Sequence, residues 1–282
     1  MEQRIGQAVS LEELKVPAVL YKYRDYGNIY HRRAMFSSEI YIPSANEFND
    51  PFDSKIPFRY RDEDLTEENI FLKCLEVAKR KQKGLNESQY HEMAFENQKK
   101  HLLNDDKHLE DFDRQFYDRI CWKSGIFCLT PNSENFLMWS YYSNSHKGFC
   151  IGYDSAKLLH AGLFILGGIV DYKNSFPKIP MFDNNDVKLF WDIYYTKWRI
   201  WEHENEYRLI HEYKYEKRGR KDVFALEIDV IAEIVFGCEF PQSETNVIYK
   251  TLIEKYPHIK LSQIKLKKEE FKTLLSGKNQ HS

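Results

Sequence analysis

The chain predicts an α+β fold built on a mixed sheet, and three observations lead there. Short runs rich in Val, Ile, Tyr and Phe recur from residue 18 to residue 266 with no regular βα repeat, which argues against a doubly wound sheet. Between them, residues 61–122 change to charged, helix-periodic sequence, read as a helical insertion in a single domain covering 1–276, with 277–282 as a tail. Finally, Lys-Trp-Arg-Ile-Trp-Glu-His-Glu-Asn-Glu-Tyr-Arg-Leu-Ile at 197–210 turns from helical to strand-like texture and gathers three carboxylates within five residues.

Taken in order, 11–15 reads as a short helical lead-in stopped by Pro17, and 18–23 as a strand of β formers ending at Arg24 and Asp25. Gly27 breaks that strand, Asn28 can cap a helix to about Met35, and 38–42 returns as a strand closed by Pro43. The run 44–53 is turn chemistry: Asn49 and Asp50 can bond their own backbone ahead of Pro51, with Phe48 and Phe52 as anchors. Within the insertion, acidic Thr-Glu-Glu-Asn at 66–69 and basic Lys-Arg-Lys-Gln-Lys at 79–83 bracket a helix in the sense of its dipole. Two further helices are expected at 87–103 and 105–120. Strands follow at 125–130, 149–153, 164–172, 204–213, 222–229, 231–237 and 259–266, with a hairpin turn at 216–221. Helices are expected at 134–142, 186–198, 244–256 and 268–275.

Composition narrows the classes. Net charge is only −2 with 30% charged residues, so no global field marks a polyanionic partner, although a local patch can still bind nucleic acid. Five cysteines at 74, 121, 128, 150 and 238 form no C-x-x-C pair and read as reduced thiols of a cytoplasmic protein. The longest apolar run, 161–170, is ten residues against the ~20 that span a bilayer, and no signal-peptide core opens the chain, so no membrane partner is expected. No H-E-x-x-H, phosphate-loop or dinucleotide glycine fingerprint occurs, so no metal is expected and P-loop enzymes and ordinary dehydrogenases fall away.

The focal stretch needs its own account. On a strand, Glu202, Glu204, Glu206 and Arg208 share one face and His203, Asn205 and Tyr207 the other. Carboxylates two residues apart stand about 6–7 Å from one another and repel unless Arg208 or Lys197 intervenes. The surrounding Trp191, Tyr194, Tyr195, Trp198, Trp201 and Tyr207 suit the wall of a partly dry cleft. Trp139, Tyr142 and His146 are spaced to cluster at the turn before residue 149, where His146 reads more readily as a plain turn residue than as a ligand or base.

Four segments in order carry a resemblance: Leu-Tyr-Lys-Tyr-Arg at 20–24, Phe-Asn-Asp-Pro-Phe-Asp at 48–53, Met-Trp-Ser-Tyr-Tyr-(x)3-His-Lys-Gly-Phe-Cys-Ile-Gly-Tyr-Asp at 138–154 and Trp-(x)2-Glu-Asn-Glu-Tyr-Arg at 201–208. They resemble a large bacterial family of unknown function, frequent in phage-defence loci. More distantly, the first strand and the Glu-x-Glu segment resemble the DarT-like ADP-ribosyltransferases. That likeness implies a toxin or defence transferase moving ADP-ribose from NAD to a nucleic-acid or protein acceptor, with a possible antitoxin partner. It implies Glu206 as the carboxylate that polarises the ribose hydroxyl and Glu204 as the one facing the acceptor. It also implies NAD contacts from Tyr21, Lys22, Tyr23, Arg24, Asn49, Asp50, Trp139, Tyr142, His146 and Arg208. Lys22 stands where those relatives carry His, and their Ser-Thr-Ser motif does not appear, Phe-Ser-Ser at 36–38 being a poor stand-in. Two other readings remain: a metal-dependent nuclease using Asp50, Asp53 and Lys55 as a D-x-K core, and a non-catalytic nucleotide or partner sensor. NAD consumption, chelator-sensitive cleavage, or neither, separates the three.

Overall fold

A computed structural model describes residues 16–182, 186–215, 222–270 and 273–277. The fold is α+β. In chain order the elements are β1 Val19–Arg24, α1 Ile29–Ser37, β2 Glu39–Tyr41, α2 Glu67–Lys81, α3 Glu87–Gln98, α4 Asp106–Cys121, β3 Ser124–Leu129, α5 Phe136–Tyr142, β4 Phe149–Asp154 and α6 Ser155–His160. They continue with β5 Leu166–Ile169, β6 Asp171–Lys173, α7 Asp186–Tyr195, β7 Thr196–Trp198, β8 Tyr207–Glu212, β9 Val223–Ala225, β10 Ile231–Phe236, α8 Gln242–Lys255, β11 Lys260–Leu266 and β12 Thr273–Gly277. None of the described helices is long and apolar enough to cross a membrane.

The chain divides into two compact units, the first made of 1–43, 124–170 and 200–282, the second of 44–123 and 171–199. The helical stretch 61–122 thus belongs to a larger body that also takes in 44–60 and a later return of the chain.

In the first unit, β1-β4-β10-β11-β12 form one sheet and β3-β8-β5 another. β4 is antiparallel to both β1 and β10, and β10 runs parallel to β11 across α8. The core lies where Leu20, Ile151 and Tyr153 of the first sheet meet Phe127, Leu129 and Leu209 of the second, with Phe127 edge-on to Tyr153 at 5.8 Å. Two glycines mark a close approach of strand ends: a Cβ on Gly148 would stand 2.1 Å from the Arg24 carbonyl, and one on Gly237 2.0 Å from that of His146. Only glycine permits such contact.

The second unit is helical, with β6 and β7 pairing in parallel. Its caps follow the sequence: Thr66, Asn86 and Asp105 accept from the amides of Asn69, Gln89 and His108. Asp113 of α4 binds the Phe58 amide at 2.9 Å and Arg59 at 2.8 Å, while Phe58 packs edge-on to Phe112 and Phe116.

Several expected elements differ. The helix foreseen to 103 stops at Gln98 because His101 adopts a left-handed φ of 49°. The strand foreseen at 164–172 is two short strands, β5 and β6, paired with β8 and β7 respectively. The helix foreseen to 198 ends at Tyr195 and becomes β7, and the strand at 222–229 shrinks to β9. A strand replaces the helix expected at 268–275: β12 adds an antiparallel edge to β11, the pairing overriding local helix propensity. The lead-in at 11–15, the turn at 216–221 and the tail after 277 lie outside the described residues.

The focal stretch differs most. Residues Arg199–Glu204 form a 3-10 helix, Asn205 turns at a left-handed φ of 45°, and β8 starts only at Tyr207. Glu202, Glu204, Glu206 and Arg208 therefore do not share a strand face. β8 is central in its sheet and buried from Tyr207 through Ile210.

Candidate functional site

The site of the first unit is built where β1 meets β3. These strands join through one bridge, with Tyr21 N to Thr130 O at 2.7 Å and the reciprocal bond at 3.0 Å. Two residues back on β3, strand periodicity aims the Cys128 carbonyl to the same side. It receives Lys22 Nζ at 2.6 Å, so a side-chain ammonium stands where a ladder amide would. Burial pulls the Lys22 pKa down to about 8; Arg24 lowers it further, and Cys128, Glu206 and Glu204 oppose the shift.

Arg24 lies two residues beyond Lys22 and so on the same strand face. Its Nε is closed off from solvent and meets no hydrogen-bond partner, and no carboxylate pairs with the guanidinium among the described residues. Burial lowers its pKa from the ordinary arginine value. Beside it, burial first and then Arg24 push His31 down to about 4. That imidazole is therefore neutral at physiological pH, its Nδ1 accepting from the Asp25 amide at 3.2 Å.

The two carboxylates of the Glu-x-Glu segment are both buried. Glu206 is gripped by Arg208 in a two-pronged pair, Nε to Oε1 at 2.8 Å and a terminal nitrogen to Oε2 at 3.0 Å. Arg208 is itself fully enclosed. This is the pairing expected of Arg208 with a neighbouring carboxylate. Glu204 accepts the Tyr142 hydroxyl at 2.6 Å on Oε1. The 3-10 turn presenting it is tied down by Asn135, whose amide donates to the His203 carbonyl.

The remaining candidates on β1 and α5 serve the scaffold. Tyr21 and Tyr23 alternate to the strand face opposite Lys22 and Arg24. Tyr21 donates to Glu233, and Tyr23 donates to the Asn132 carbonyl at 2.8 Å and stands edge-on to Trp139 at 5.0 Å. Trp139 is fully buried, its indole bound to the Ser133 carbonyl at 2.9 Å. His146 closes a run of three left-handed residues, Asn144, Ser145 and His146. Its Nε2 lies 3.0 Å from the Ser140 hydroxyl, and burial lowers its pKa, so it is a neutral turn residue.

Asn49, Asp50, Asp53 and Lys55 belong to the second unit. Asn49 is exposed. Asp50 makes the expected turn, its Oδ1 accepting the Phe52 amide at 2.9 Å. Asp53 takes the Ser54 hydroxyl at 3.1 Å and stands 3.5 Å from Lys197 Nζ, and the Lys55 amide donates to the Phe52 carbonyl at 3.2 Å. These contacts account for the segment as a turn. No group of three or more His, Cys, Asp or Glu is placed to hold a metal ion among the described residues.

No family model, curated protein or solved structure matches the chain. The sequence reading named Lys22, Arg24, Glu204, Glu206 and Arg208, and the structure sorts them by partner. It missed His31 and the Cys128 carbonyl. The i, i+2 spacing of Lys22 and Arg24 was the available signal, whereas their surroundings come from β3 and α1.

Proposed function

We propose that the first unit is a nucleotide-using transferase of the ADP-ribosyl type, with NAD as donor. The observation that carries this reading is Arg24, a half-buried guanidinium whose Nε is closed off and which no carboxylate pairs among the described residues, set beside Lys22 and within electrostatic reach of Glu206 and Glu204 through that lysine. A cation drawn partly out of water without a counter-ion is a natural seat for an anion, and a dinucleotide brings a pyrophosphate. NAD supplies a ribose whose bond to nicotinamide can break, the leaving ring keeping the electron pair.

In this reading Arg24 and Lys22 bind the pyrophosphate. Arg208 keeps Glu206 ionised and oriented toward the ribose hydroxyl, where its charge favours the cationic transition state. Tyr142 orients Glu204 to take the proton of the acceptor nucleophile. The acceptor class is nucleic acid or protein, and a cytoplasmic toxin or defence role with an antitoxin-like partner fits such a reaction.

The test is isothermal titration of NAD into wild-type and Arg24→Met protein, with intact-mass analysis of cell components after incubation with labelled NAD. The expected result is binding weakened about ten- to hundred-fold in the variant, the worth of charge-assisted hydrogen bonds, and a labelled acceptor only with wild type. Mg²⁺-dependent cleavage of DNA or RNA that disappears in Asp53→Ala, with no use of NAD, would overturn it.

A further inference from the structure

The second unit carries a pocket that the transferase reading does not use. It is about 240 Å³ and opens where β6 and β7 end, walled by Phe52, Phe176 and Trp198 over a floor that includes Ile56 and Lys197. The three rings are 49%, 43% and 49% exposed. Phe52 lies 5.7 Å from Phe176 and 6.5 Å, near perpendicular, from Trp198, so the rings form a corner and do not fill the space between them.

The corner is built. The Asp50 carboxylate and the Phe52 carbonyl close the turn that presents Phe52. Asp53 anchors Lys197, next to Trp198 on β7. Pockets for drug-sized ligands run to about 300–1,000 Å³, so this one suits a single ring system. Its polar lining is Asn174, Ser175 and Thr196 with two lysines, and both ammonium groups meet carboxylates: Lys197 meets Asp53 at 3.5 Å, and Lys173 meets Asp171 at 3.0 Å. The lining therefore offers stacking faces and hydrogen bonds at the rim, with its positive charge already balanced.

We infer that this pocket binds a nucleobase, stacked in the Phe52–Phe176–Trp198 corner and read at its edge by Asn174 and Ser175. Every base has a π-face for such a corner and ring nitrogens or carbonyls for such a rim. Because the lysines are balanced, recognition rests on the ring and not on a phosphate. The inference stands independently of the NAD reading.

The experiment titrates the full chain with the common nucleosides, their 5′-monophosphates and single-stranded homopolymers of the same bases. At least one nucleoside is expected to bind, its monophosphate about equally, with little change between about 50 and 200 mM salt. Trp198→Ala and Phe52→Ala should each weaken it about 5- to 150-fold, and Trp198→Phe should restore most of the loss. Both rings are half exposed, so circular dichroism and melting are expected to show folded variants. A homopolymer that binds more tightly than its nucleoside, with added salt dependence, identifies a strand as the source of the base; equal affinity identifies the free nucleoside. No nucleoside binding, or binding that survives both alanine variants, overturns the inference. So does binding that Arg24→Met abolishes and Trp198→Ala spares, which would assign it to the first unit.

Discussion

Arg208 and Arg24 are both arginines on strands of the first unit, and their surroundings are opposite. Arg208 is fully enclosed and grips Glu206 with two nitrogens at 2.8 and 3.0 Å. Arg24 is enclosed at Nε and meets no carboxylate among the described residues. The first arrangement is complete in the free protein, so its energetic role is to hold β8 and the turn before it. The second leaves Nε unpartnered, and on the proposed reading an anion completes it. Burial alone does not separate a satisfied cation from one open to an anion; the presence or absence of a counter-charge does.

The sharpest way to break that contrast is Arg208→Met. Removing one partner of a buried pair leaves a stranded carboxylate and commonly costs about 3–5 kcal/mol, and chemical denaturation should show a loss of that size. Glu206→Gln should cost less, about 1.5–3 kcal/mol, since a charge-assisted contact is weakened and the shape is kept. The two-pronged Arg208 grip thus makes stability part of that variant's effect. Lys197→Met tests a looser pair, one nitrogen 3.5 Å from Asp53, and should cost about 1–3 kcal/mol because Asp53 keeps the Ser54 hydroxyl. A melting point unchanged in Arg208→Met but lowered in Lys197→Met would invert the comparison.

Lys22 adds a pH test. Its folded pKa of about 8 lies below the ~10.4 of an unfolded lysine. Between those values the unfolded chain holds the extra proton, so stability from this group rises with pH across that window, and below about pH 8 its full burial cost is present. Anion binding runs the other way: NAD affinity should fall as pH rises through about 8, and Lys22→Arg should flatten the profile. An affinity independent of pH from 7 to about 9 would remove Lys22 from the site.

Much of the fold was legible because local chemistry decides it. Asn28 caps α1 by accepting from Tyr30, and Thr66 and Asp105 cap α2 and α4, as short polar side chains ahead of helical runs imply. β1 and β4 follow their β-rich sequence, and the Asp50 turn forms as written. The failures are places where distant chain decides. β12 is a strand because β11 offers an edge, and β6 and β7 pair across more than twenty intervening residues. The period-2 argument at 202–208 failed at one residue, Asn205, whose left-handed turn delays β8. The candidate site was legible as a set of residue types, since Lys22, Arg24, Glu204, Glu206 and Arg208 were all singled out. Their roles were not, because a missing counter-ion is a property of the packed structure.

Arg24→Met, measured for stability and for NAD affinity in the same preparation, tests the central claim most directly. Replacing a half-buried cation that no carboxylate pairs among the described residues with an apolar side chain of similar length should leave the melting temperature unchanged or raise it, while NAD binding weakens about ten- to hundred-fold. A fall in stability like that of Arg208→Met, with NAD affinity intact, would contradict the account.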